Sequence, residues 1–369
     1  MIDKTQYGAI PYSSTTMALI NMLHHWYSGT DGNGSTVRTI LFDYRKAFDF
    51  IDHEILINKV CRLNIPRSII NWIIDFLSNI IQRVKLPEDC YSEWGSVPSG
   101  VPPGTNLGPW LFILMIQDLD IDSPYLWKFV DDTTASELLP KGSVSKAQNI
   151  VDRVTQWSDE NRVQLHPDKC KELRITFSKN PSVLDPLIVD LKEIEIVDNV
   201  KLLGVTMSSD LTWNVHIEEV LKKANERLYF LVQLKRAKVP LKELVLFYTT
   251  CIRSVIDYAI PAFYHALSKY LKKELVRLEK RAIAIMNPGT HYDVASDVLN
   301  MRLIEDHHDL LCSRLFDNMM RDANHKLAEL LPPLYSSHHD LRKERKFNVP
   351  CTFTNRARNS FVFAMAAKV

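Results

Sequence analysis

The stretch Phe129-Val130-Asp131-Asp132 is the most informative part of this 369-residue chain, because it marks both the end of a strand and a cluster of charge. The apolar run Tyr125–Trp127 precedes it and two threonines follow, which indicates a short aromatic-rich strand that ends in a turn. Successive side chains of a strand point to opposite faces, so adjacent aspartates share one site only at such a turn. Like charges this close raise each other's pKa, and a divalent cation reverses the effect. Taken alone, the pair is more typical of a solvated turn.

Composition and length describe an ordinary globular chain with an uneven distribution of charge. The chain is 46% hydrophobic and 24% charged, and its length predicts two or three domains. The formal net charge is +1, yet residues 214–286 hold seven more basic than acidic side chains and residues 335–369 hold five more. An acidic body joined to a basic C-terminal region suits a polyanion held near a carboxylate site, although basic helices are as often simply solvated.

Cysteine usage and hydropathy indicate the cellular compartment that is expected for this protein. The six cysteines are scattered without a CxxC pair, and no signal-like segment opens the chain, which predicts a reducing intracellular compartment. No uninterrupted apolar stretch reaches about 18 residues, so neither a transmembrane helix nor a membrane partner is expected. His307, His308 and Cys312 have helical spacing but no second ligand pair nearby, so we interpret them as structural residues rather than zinc ligands.

Hydrophobic periodicity and turn residues predict the order of the elements. Helices are predicted over residues 11–29, 52–64, 66–79, 110–116 and 143–162, and from 213 to about 286. Strands are predicted over residues 36–43, 172–177 and 200–205, with a hairpin formed by 82–86 and 91–97. A loop dense in glycine and proline, residues 98–109, separates this hairpin from the next helix. The strand–helix–helix–strand order predicts a mixed or antiparallel sheet.

Three acids follow predicted strands and form the candidate site. Asp43 ends the strand 36–43, and Asp131 and Asp132 lie at the turn described above. Carboxylates on adjacent strands jointly hold two divalent cations about 3.5–4 Å apart in two-metal sites. Mg²⁺ prefers a few carboxylates together with water and substrate phosphates. The combination predicts phosphoryl or nucleotidyl transfer.

The ordered set of motifs resembles the reverse transcriptase domain of non-LTR, LINE-like retrotransposons of the jockey and chicken-repeat-1 type. The resemblance covers about residues 5–290. It is carried by Leu41–Asp49 with Asp52-His53, the loop Gly100–Pro109 with Leu111-Phe112, Phe129–Thr133, Trp157, His166–Lys169, Leu202–Val205, Leu211–Trp213 and His216-Ile217. Each motif is weak alone, whereas their order and approximate spacing are specific.

The resemblance implies an α+β fold, a right-hand polymerase palm in which helices pack on an antiparallel sheet. Residues 1–210 would form partial fingers and the palm, residues 211–290 an all-α thumb-like region, and residues 291–369 a helical and basic extension. The implied activity is RNA-directed DNA polymerisation, a two-metal transfer from a dNTP to a primer 3′-hydroxyl with Mg²⁺ or Mn²⁺. An RNA template and a DNA primer would be the partners, in the cytoplasm or the nucleus.

The resemblance also assigns the metal-binding residues. Asp43 and Asp131 would be the principal ligands of the two cations, and Asp132 would support them. The main-chain carbonyl of Tyr44 would also approach a metal. These assignments make the three aspartates the catalytic residues of the site.

Three further residues match positions that contact the nucleotide in the family. Phe48 would lie under the sugar and exclude a 2′-hydroxyl, although ordinary core packing explains a phenylalanine equally well. Gly104 would let backbone approach the nucleotide and template, since it has no Cβ. Lys169 would protonate the leaving pyrophosphate, although a lone lysine is as often only a solvated charge. Residues 201–205 resemble the primer grip, and the basic helices resemble a thumb that follows the duplex backbone.

The chain departs from the family pattern at several positions. Pro103 stands where the family usually has glutamine, and proline has no side-chain donor and no backbone N–H. After Gln6-Tyr7-Gly8, where the family usually has basic residues, the chain continues Ala9-Ile10-Pro11-Tyr12. We expect the first part of the fingers and an N-terminal endonuclease segment to be absent. A second hypothesis is therefore a truncated, catalytically impaired remnant that only binds nucleic acid, and a third is a globular α/β domain with an ordinary Asp-Asp turn.

Overall fold

The computed structural model describes residues 3–102, 104–335 and 346–369. Pro103 lies outside the described residues, as does part of the basic segment 335–369, so the predictions attached to them are not tested. The chain divides into two compact units. The first comprises residues up to Ser14, Arg38–Arg174 and Ser182–Val197, and the second Thr15–Val37, Ile175–Pro181 and Asp198–Val369.

The described residues form both strands and helices, with short 3₁₀ turns between them. The strands are β1 (Thr36–Phe42), β2 (Ile81–Gln82), β3 (Gly95–Ser96), β4 (Leu126–Phe129), β5 (Asp132–Leu139), β6 (Lys171–Thr176), β7 (Ile188–Val189), β8 (Lys192–Glu193), β9 (Glu195–Val197), β10 (Asn199–Leu202) and β11 (Val205–Ser208). The α-helices are α1 (Thr15–Gly29), α2 (His53–Cys61), α3 (Arg67–Leu77), α4 (Leu107–Ile116), α5 (Ala147–Glu160), α6 (Asn214–Arg236), α7 (Leu241–Phe247), α8 (Ser254–Asp257), α9 (Ile260–Phe263), α10 (Lys269–Met286), α11 (Ala295–Leu299), α12 (Ile304–Arg321), α13 (Asn355–Arg358) and α14 (Phe361–Ala366).

A five-stranded sheet has the order β4-β5-β1-β6-β9. The β4–β5 hairpin is antiparallel, whereas β6 and β9 run parallel. The α+β class is therefore confirmed, but the sheet is mixed rather than purely antiparallel. The predicted 82–97 hairpin also forms, with β2 and β3 antiparallel and a further bridge between Lys85 and Tyr91.

The apolar core of the first unit explains how its elements assemble. Helix α4 has the sequence LGPWLFILMI, which is apolar on all sides, and such a helix is stable only when it is surrounded by protein. Leu111, Phe112, Met115 and Ile116 are buried, and they share one cluster with residues of β1 and α5. Full burial of each such side chain contributes about 1.5–3 kcal/mol. Helix α4 therefore anchors the glycine- and proline-rich loop that precedes it.

The second unit is mainly helical. In α6 the predicted apolar stripe is confirmed, since Ile217, Val220, Ala224, Leu228 and Leu231 are all buried. The β10–β11 hairpin packs against α6, and α10 also packs against α6. The predicted primer-grip residues thus belong to a hairpin that the long basic helix supports.

One stretch of the second unit is more apolar over its length than the sequence analysis predicted. Leu241–Ala266 is long and apolar enough to cross a membrane by length and composition, although no such helix was expected. Its backbone is interrupted at Ala259, which has a left-handed φ of +54°. Leu244, Tyr248 and Ile252 are fully buried among the neighbouring helices of the unit. These features are typical of a core helix, and the absence of a membrane partner stays a prediction.

Candidate active site

The sheet brings the predicted aspartates to one edge of the first unit. Asp43 directly follows β1, and Asp131 and Asp132 lie at the turn between β4 and β5. Strands β1 and β5 are neighbours, and the hydroxyls of Thr39 and Ser136 share a hydrogen bond of 3.0 Å between them. Asp43 follows Thr39 by four residues, and Asp132 precedes Ser136 by four residues. The charge of Asp43 acts on both Asp131 and Asp132, so the three carboxylates lie near one another, and their role as metal ligands stays a prediction.

The pKa shifts show that these carboxylates are crowded. Desolvation, followed by the charge of Asp43, raises the pKa of Asp131. Desolvation and the charges of Asp131 and Asp43 raise the pKa of Asp132 to about 6. Asp43 Oδ1 is buried and accepts no hydrogen bond from the described part of the chain. The ammonium of Lys169 lies 3.5 Å from Asp43 Oδ1, and the side chain of Lys169 is largely exposed.

The donor set fits Mg²⁺ or Mn²⁺ when water and phosphate complete the coordination. Within residues 3–102, 104–335 and 346–369, no group of three or more His, Cys, Asp or Glu side chains is arranged to hold a metal ion by itself. Mg²⁺ is usually bound through one or two carboxylates and substrate phosphates, so Asp43 and Asp131 suffice. A buried carboxylate oxygen without a hydrogen-bond donor, beside carboxyls with raised pKa values, is stabilised by an added cation.

The turn that carries Asp131 has a strained backbone. Phe129 and Asp132 form the last pair of the β4–β5 hairpin, which leaves Val130 and Asp131 as the two turn residues. Val130 has φ of +60°, a conformation that a β-branched residue adopts only when its surroundings enforce it, at a cost of about 1–3 kcal/mol. The N–H of Val130 donates to Gln6 Oε1 at 3.0 Å. Gln6 was not among the predicted site residues, because its partner Val130 lies 124 positions away in the sequence.

Lys128, three residues before Asp131, is a fully buried cation within β4. Its ammonium lies 2.5 Å from the Asp3 carboxylate and donates to the carbonyls of Ile116 at 3.1 Å and Leu119 at 3.0 Å. Burial lowers the pKa of Lys128 despite these partners. Sequence reasoning also missed this residue, although a lysine between Trp127 and Phe129 in an apolar strand was a usable signal.

The backbone around Tyr44 pairs with the segment around Leu165 without using the Tyr44 carbonyl. Tyr44 and Leu165 form an antiparallel bridge, in which Arg45 N–H donates to Gln164 O and His166 N–H donates to Asp43 O, both at 2.8 Å. In such a pair the hydrogen bonds are made by the flanking residues, so the Tyr44 N–H and C=O point away from Leu165. Buried in the core, the Tyr44 ring packs edge-on against Trp157.

Phe48 lies between the core and the glycine-rich loop. Its half-buried ring packs on Phe112, with 5.3 Å between the ring centroids. The Phe48 carbonyl accepts a hydrogen bond of 2.9 Å from Val101 N–H. At Gly100 (φ +84°) an added Cβ would lie 2.6 Å from Asp49 O, so only glycine allows this close approach. The structure shows the core packing of Phe48, and its place under the sugar of the nucleotide stays a prediction.

Gly104 lies on the open side of the same loop. Its φ is +76°, which favours glycine, and no described atom lies within 4 Å of the position that a Cβ would take. Close packing within the protein is therefore not the reason for a glycine here. The role assigned to Gly104 beside the nucleotide stays a prediction.

The second unit contains a basic groove of about 560 Å³ beside the β10–β11 hairpin. Lys201, Lys222 and Lys223 line it together with Asn199, Val200, Thr206, Val215, Glu219 and Glu226. The hairpin turn is held by Tyr258, whose hydroxyl donates to the Leu203 carbonyl at 2.7 Å. The three lysines outnumber the two glutamates of the lining, so the groove has a small excess of positive charge, which favours a polyanion.

Comparisons with known proteins cover most of the chain. A family model described as "Reverse transcriptase (RNA-dependent DNA polymerase)" matches residues 2–207, more than half of the sequence. Another, described as "Alkylated DNA repair protein alkB homolog 8, N-terminal", matches residues 213–254.

Curated relatives extend the similarity beyond the first model. The chain is 23% identical over 345 residues to the "RNA-directed DNA polymerase from mobile element jockey" of Drosophila melanogaster, covering 89% of this chain and 36% of the relative. It is 22% identical to the "Probable RNA-directed DNA polymerase from transposon BS" of the same organism, covering 79% of this chain and 34% of the relative. The chain thus spans about a third of the length of these relatives.

Solved structures show weak similarity to the chain. A telomerase from Candida albicans, solved with a fragment of telomeric RNA, is 11% identical over 80% of this chain and 52% of that chain, with a TM-score of 0.38. The telomerase from Candida tropicalis gives 11% identity over 80% and 53%, with a TM-score of 0.41.

Proposed function

The chain belongs to the reverse transcriptase family, and from that premise we propose that it is an RNA-directed DNA polymerase domain that extends a DNA primer on an RNA template. The resemblance to non-LTR retrotransposon reverse transcriptases, predicted from the motifs, is confirmed by relatives that carry such names. The observation that carries the proposal is the pairing of Asp43 and Asp131 on one sheet edge, with an Asp43 oxygen that is buried without a hydrogen-bond donor.

The residues around this edge take complementary roles in nucleotidyl transfer. Asp43 and Asp131 would bind two divalent cations, Asp132 would support them, and the Tyr44 carbonyl would add a ligand. When bound, the cations lower the pKa of the primer 3′-hydroxyl and stabilise the leaving pyrophosphate. Lys169 would donate a proton to that pyrophosphate, and the 3.5 Å between its ammonium and Asp43 Oδ1 supports this role.

The two units suit the parts of a right-hand polymerase. We assign the mixed sheet to the palm, residues 211–290 to a thumb-like region and residues 291–369 to a C-terminal extension. The groove lined by Lys201, Lys222 and Lys223 would hold the sugar–phosphate backbone of the primer–template duplex. All six cysteines are unpaired, which supports a reducing intracellular compartment, cytoplasmic or nuclear.

The direct test is Mg²⁺-dependent extension of a DNA primer on an RNA template, with Asp131→Asn as the control. Extension by the wild type that is lost in the control, and on removal of the metal with a chelator, would establish the activity. If extension persists in Asp131→Asn, it does not depend on the assigned site and would come from a contaminating polymerase. The assignment of Asp131 as a catalytic residue would then be contradicted.

A second candidate function is a remnant that binds nucleic acid without copying it. The basic groove of the second unit favours this alternative, because binding through phosphates needs no catalytic aspartate. Salt-sensitive binding to a primer–template without extension would support it. Loss of both binding and extension would contradict both candidates.

Replacing Phe48 by valine is expected to relax selection against ribonucleotides. A smaller side chain removes the bulk that we place under the sugar, so the ratio of kcat/KM for dNTP over rNTP should fall by about 10- to 100-fold. The measurement is single-nucleotide incorporation with each substrate. Phe50→Val is the matched control, because this nearby phenylalanine is exposed, and its ratio should not change. If the ratio of kcat/KM for dNTP over rNTP is unchanged in Phe48→Val, Phe48 contributes only to core packing and does not select the sugar.

Replacing Lys222 or Lys223 by alanine is expected to weaken primer–template binding without changing its sequence preference. Each phosphate contact that is lost should reduce the slope of log affinity against log salt concentration by about 1. Fluorescence anisotropy at several salt concentrations measures this slope. Lys141→Ala, an exposed lysine of the first unit, is the control and should keep the wild-type slope. Equal slopes in all three variants would exclude the groove as the duplex site.

A further inference from the structure

A short N-terminal segment, residues 3–8, lies along the strand that leads to the catalytic turn. Gln6 and Lys128 form a parallel bridge, Lys128 N–H donates to the Thr5 carbonyl at 2.9 Å, and Tyr7 N–H donates to the Lys128 carbonyl at 2.7 Å. The segment is therefore an added edge of β4, fixed to the main chain three residues before Asp131. A second attachment, between the ammonium of Lys128 and the carboxylate of Asp3, holds the same segment.

The Gln6 side chain continues this contact onto the turn itself. Gln6 is 1% exposed, and its Oε1 accepts two backbone hydrogen bonds, from Val130 N–H at 3.0 Å and from Gly8 N–H at 2.9 Å. A Cβ on Gly8 would lie 2.6 Å from Val130 N and 2.7 Å from Val130 Cγ2. One amide oxygen thus joins the segment to the turn, and the absence of a side chain on Gly8 permits that approach.

The position of Asp131 depends on the conformation of the residue before it. Val130 has a left-handed φ of +60°, which a β-branched residue does not adopt by its own preference. An acceptor aimed at its N–H, together with the close contact of Gly8, fixes the direction of this peptide. Without the acceptor, Val130 is free to return to negative φ, and the peptide that leads to Asp131 rotates with it.

We propose that Gln6 is a positioning residue that holds the Val130–Asp131 turn in the conformation in which Asp131 binds a divalent cation. The inference deepens the proposed polymerase function and rests on it for its catalytic consequence. Gln6 acts through the backbone of Val130 and does not touch metal or substrate. A misplacement of about 1 Å at a reacting centre can cost on the order of 100-fold in rate, so we expect a large effect from a residue outside the site.

Two variants separate positioning from simple packing. Gln6→Met keeps the length and volume of the side chain but removes the acceptor, whereas Gln6→Glu keeps an oxygen that accepts both N–H groups. Three measurements apply to each: Mn²⁺ binding followed by electron paramagnetic resonance with Mn²⁺ alone, hydrogen exchange of the 126–135 segment, and the rate of single-nucleotide incorporation. Thermal unfolding reports the fold, and Asp131→Asn defines which Mn²⁺ binding belongs to the site.

We expect Gln6→Met to weaken Asp131-dependent Mn²⁺ binding, to speed exchange in the turn and to lower kcat about 10- to 100-fold with little change in KM. We expect Gln6→Glu to retain most of each property. Wild-type values in Gln6→Met would overturn the inference, as would equal losses in both variants that follow a lowered unfolding temperature. A wild type without Asp131-dependent Mn²⁺ binding would overturn it too. Mn²⁺ binding that depends on Gln6, in a protein that extends no primer, would sustain the inference and refute the polymerase proposal.

Discussion

Replacing Asp43 by asparagine is expected to reduce primer extension on the order of 1000-fold, while primer–template binding stays at its wild-type level. The amide keeps the size of the side chain but loses the charge that a divalent cation requires. Asp43 Oδ1 is buried and accepts no hydrogen bond from the described residues, and the ammonium of Lys169 lies 3.5 Å from it, so this oxygen is already in a setting that favours a positive charge. Single-turnover incorporation on an RNA template measures the rate, and anisotropy of a labelled primer–template measures binding.

The matched control for this substitution is Asp75→Asn, an exposed aspartate on α3. It makes the same chemical change in the same unit and should leave incorporation unchanged. Asp132→Asn should lie between the two, because Asp132 has a supporting role and its carboxyl carries a raised pKa of about 6. If Asp43→Asn retained more than about a tenth of the wild-type rate, the loss would be too small for a principal metal ligand.

The three aspartates of the candidate site could be predicted from the sequence, because the patterns that mark them are local. An acid directly after a β-branched strand, and an Asp pair at the turn after an aromatic strand, are each visible within about ten residues. The pairing of β5 with β1 then brings Asp43 and Asp132 to the same end. The metal-binding roles of the three aspartates and the roles given to Tyr44, Phe48, Gly104 and Lys169 stay predictions, since they concern a metal or a substrate.

The residues that support the edge could not be predicted in the same way, because their partners are distant in sequence. Gln6 and Val130 are separated by 124 positions, and no periodicity relates them. Likewise, only the fold shows that Lys128 is buried and that Asp3 neutralises it. The short strands β7, β8 and β9 were missed for a different reason, because most of their residues are exposed and show no alternating pattern.

The order of the strands in the sheet and their relative directions could not be predicted from local sequence patterns either. The order β4-β5-β1-β6-β9 places the first strand of the chain at the centre of the sheet, a pairing that local hydrophobicity does not encode. The parallel β6–β9 pair contradicts a purely antiparallel palm sheet for the same reason. Apolar content identified β1, β4 and β6, whereas the strand predicted over residues 200–205 spans the turn of the β10–β11 hairpin, and long-range contacts decided which strands are neighbours.

The last prediction concerns stability: replacing Asp3 by alanine is expected to lower the free energy of unfolding by about 3 kcal/mol. The substitution leaves the Lys128 ammonium, which is 0% exposed, with two carbonyl acceptors and without its directly contacting carboxylate, so that only the charges of Asp118 and Asp120 still act on it. Desolvation alone would raise the pKa of Asp3, but hydrogen bonds from Lys128 and Thr5 hold it below its ordinary value. Because the folded pKa is lowered, the contribution of Asp3 is present at neutral pH. It should decline as the pH falls below about 3.9, the usual pKa of an unfolded aspartate.

Urea unfolding of three variants separates the loss of the pair from the cost of an unpaired charge. The double variant Asp3→Ala with Lys128→Met should be more stable than Asp3→Ala alone, because the methionine removes the buried charge that the first change exposes. Glu195→Ala is the control, since Glu195 pairs with Lys171 across β6 and β9 but is largely exposed, and its loss should cost less than about 1 kcal/mol. A loss in Asp3→Ala no larger than in this control would mean that the two carbonyls already satisfy Lys128. The attachment of residues 3–8 to β4 would then depend on main-chain hydrogen bonds and on Gln6 rather than on charge.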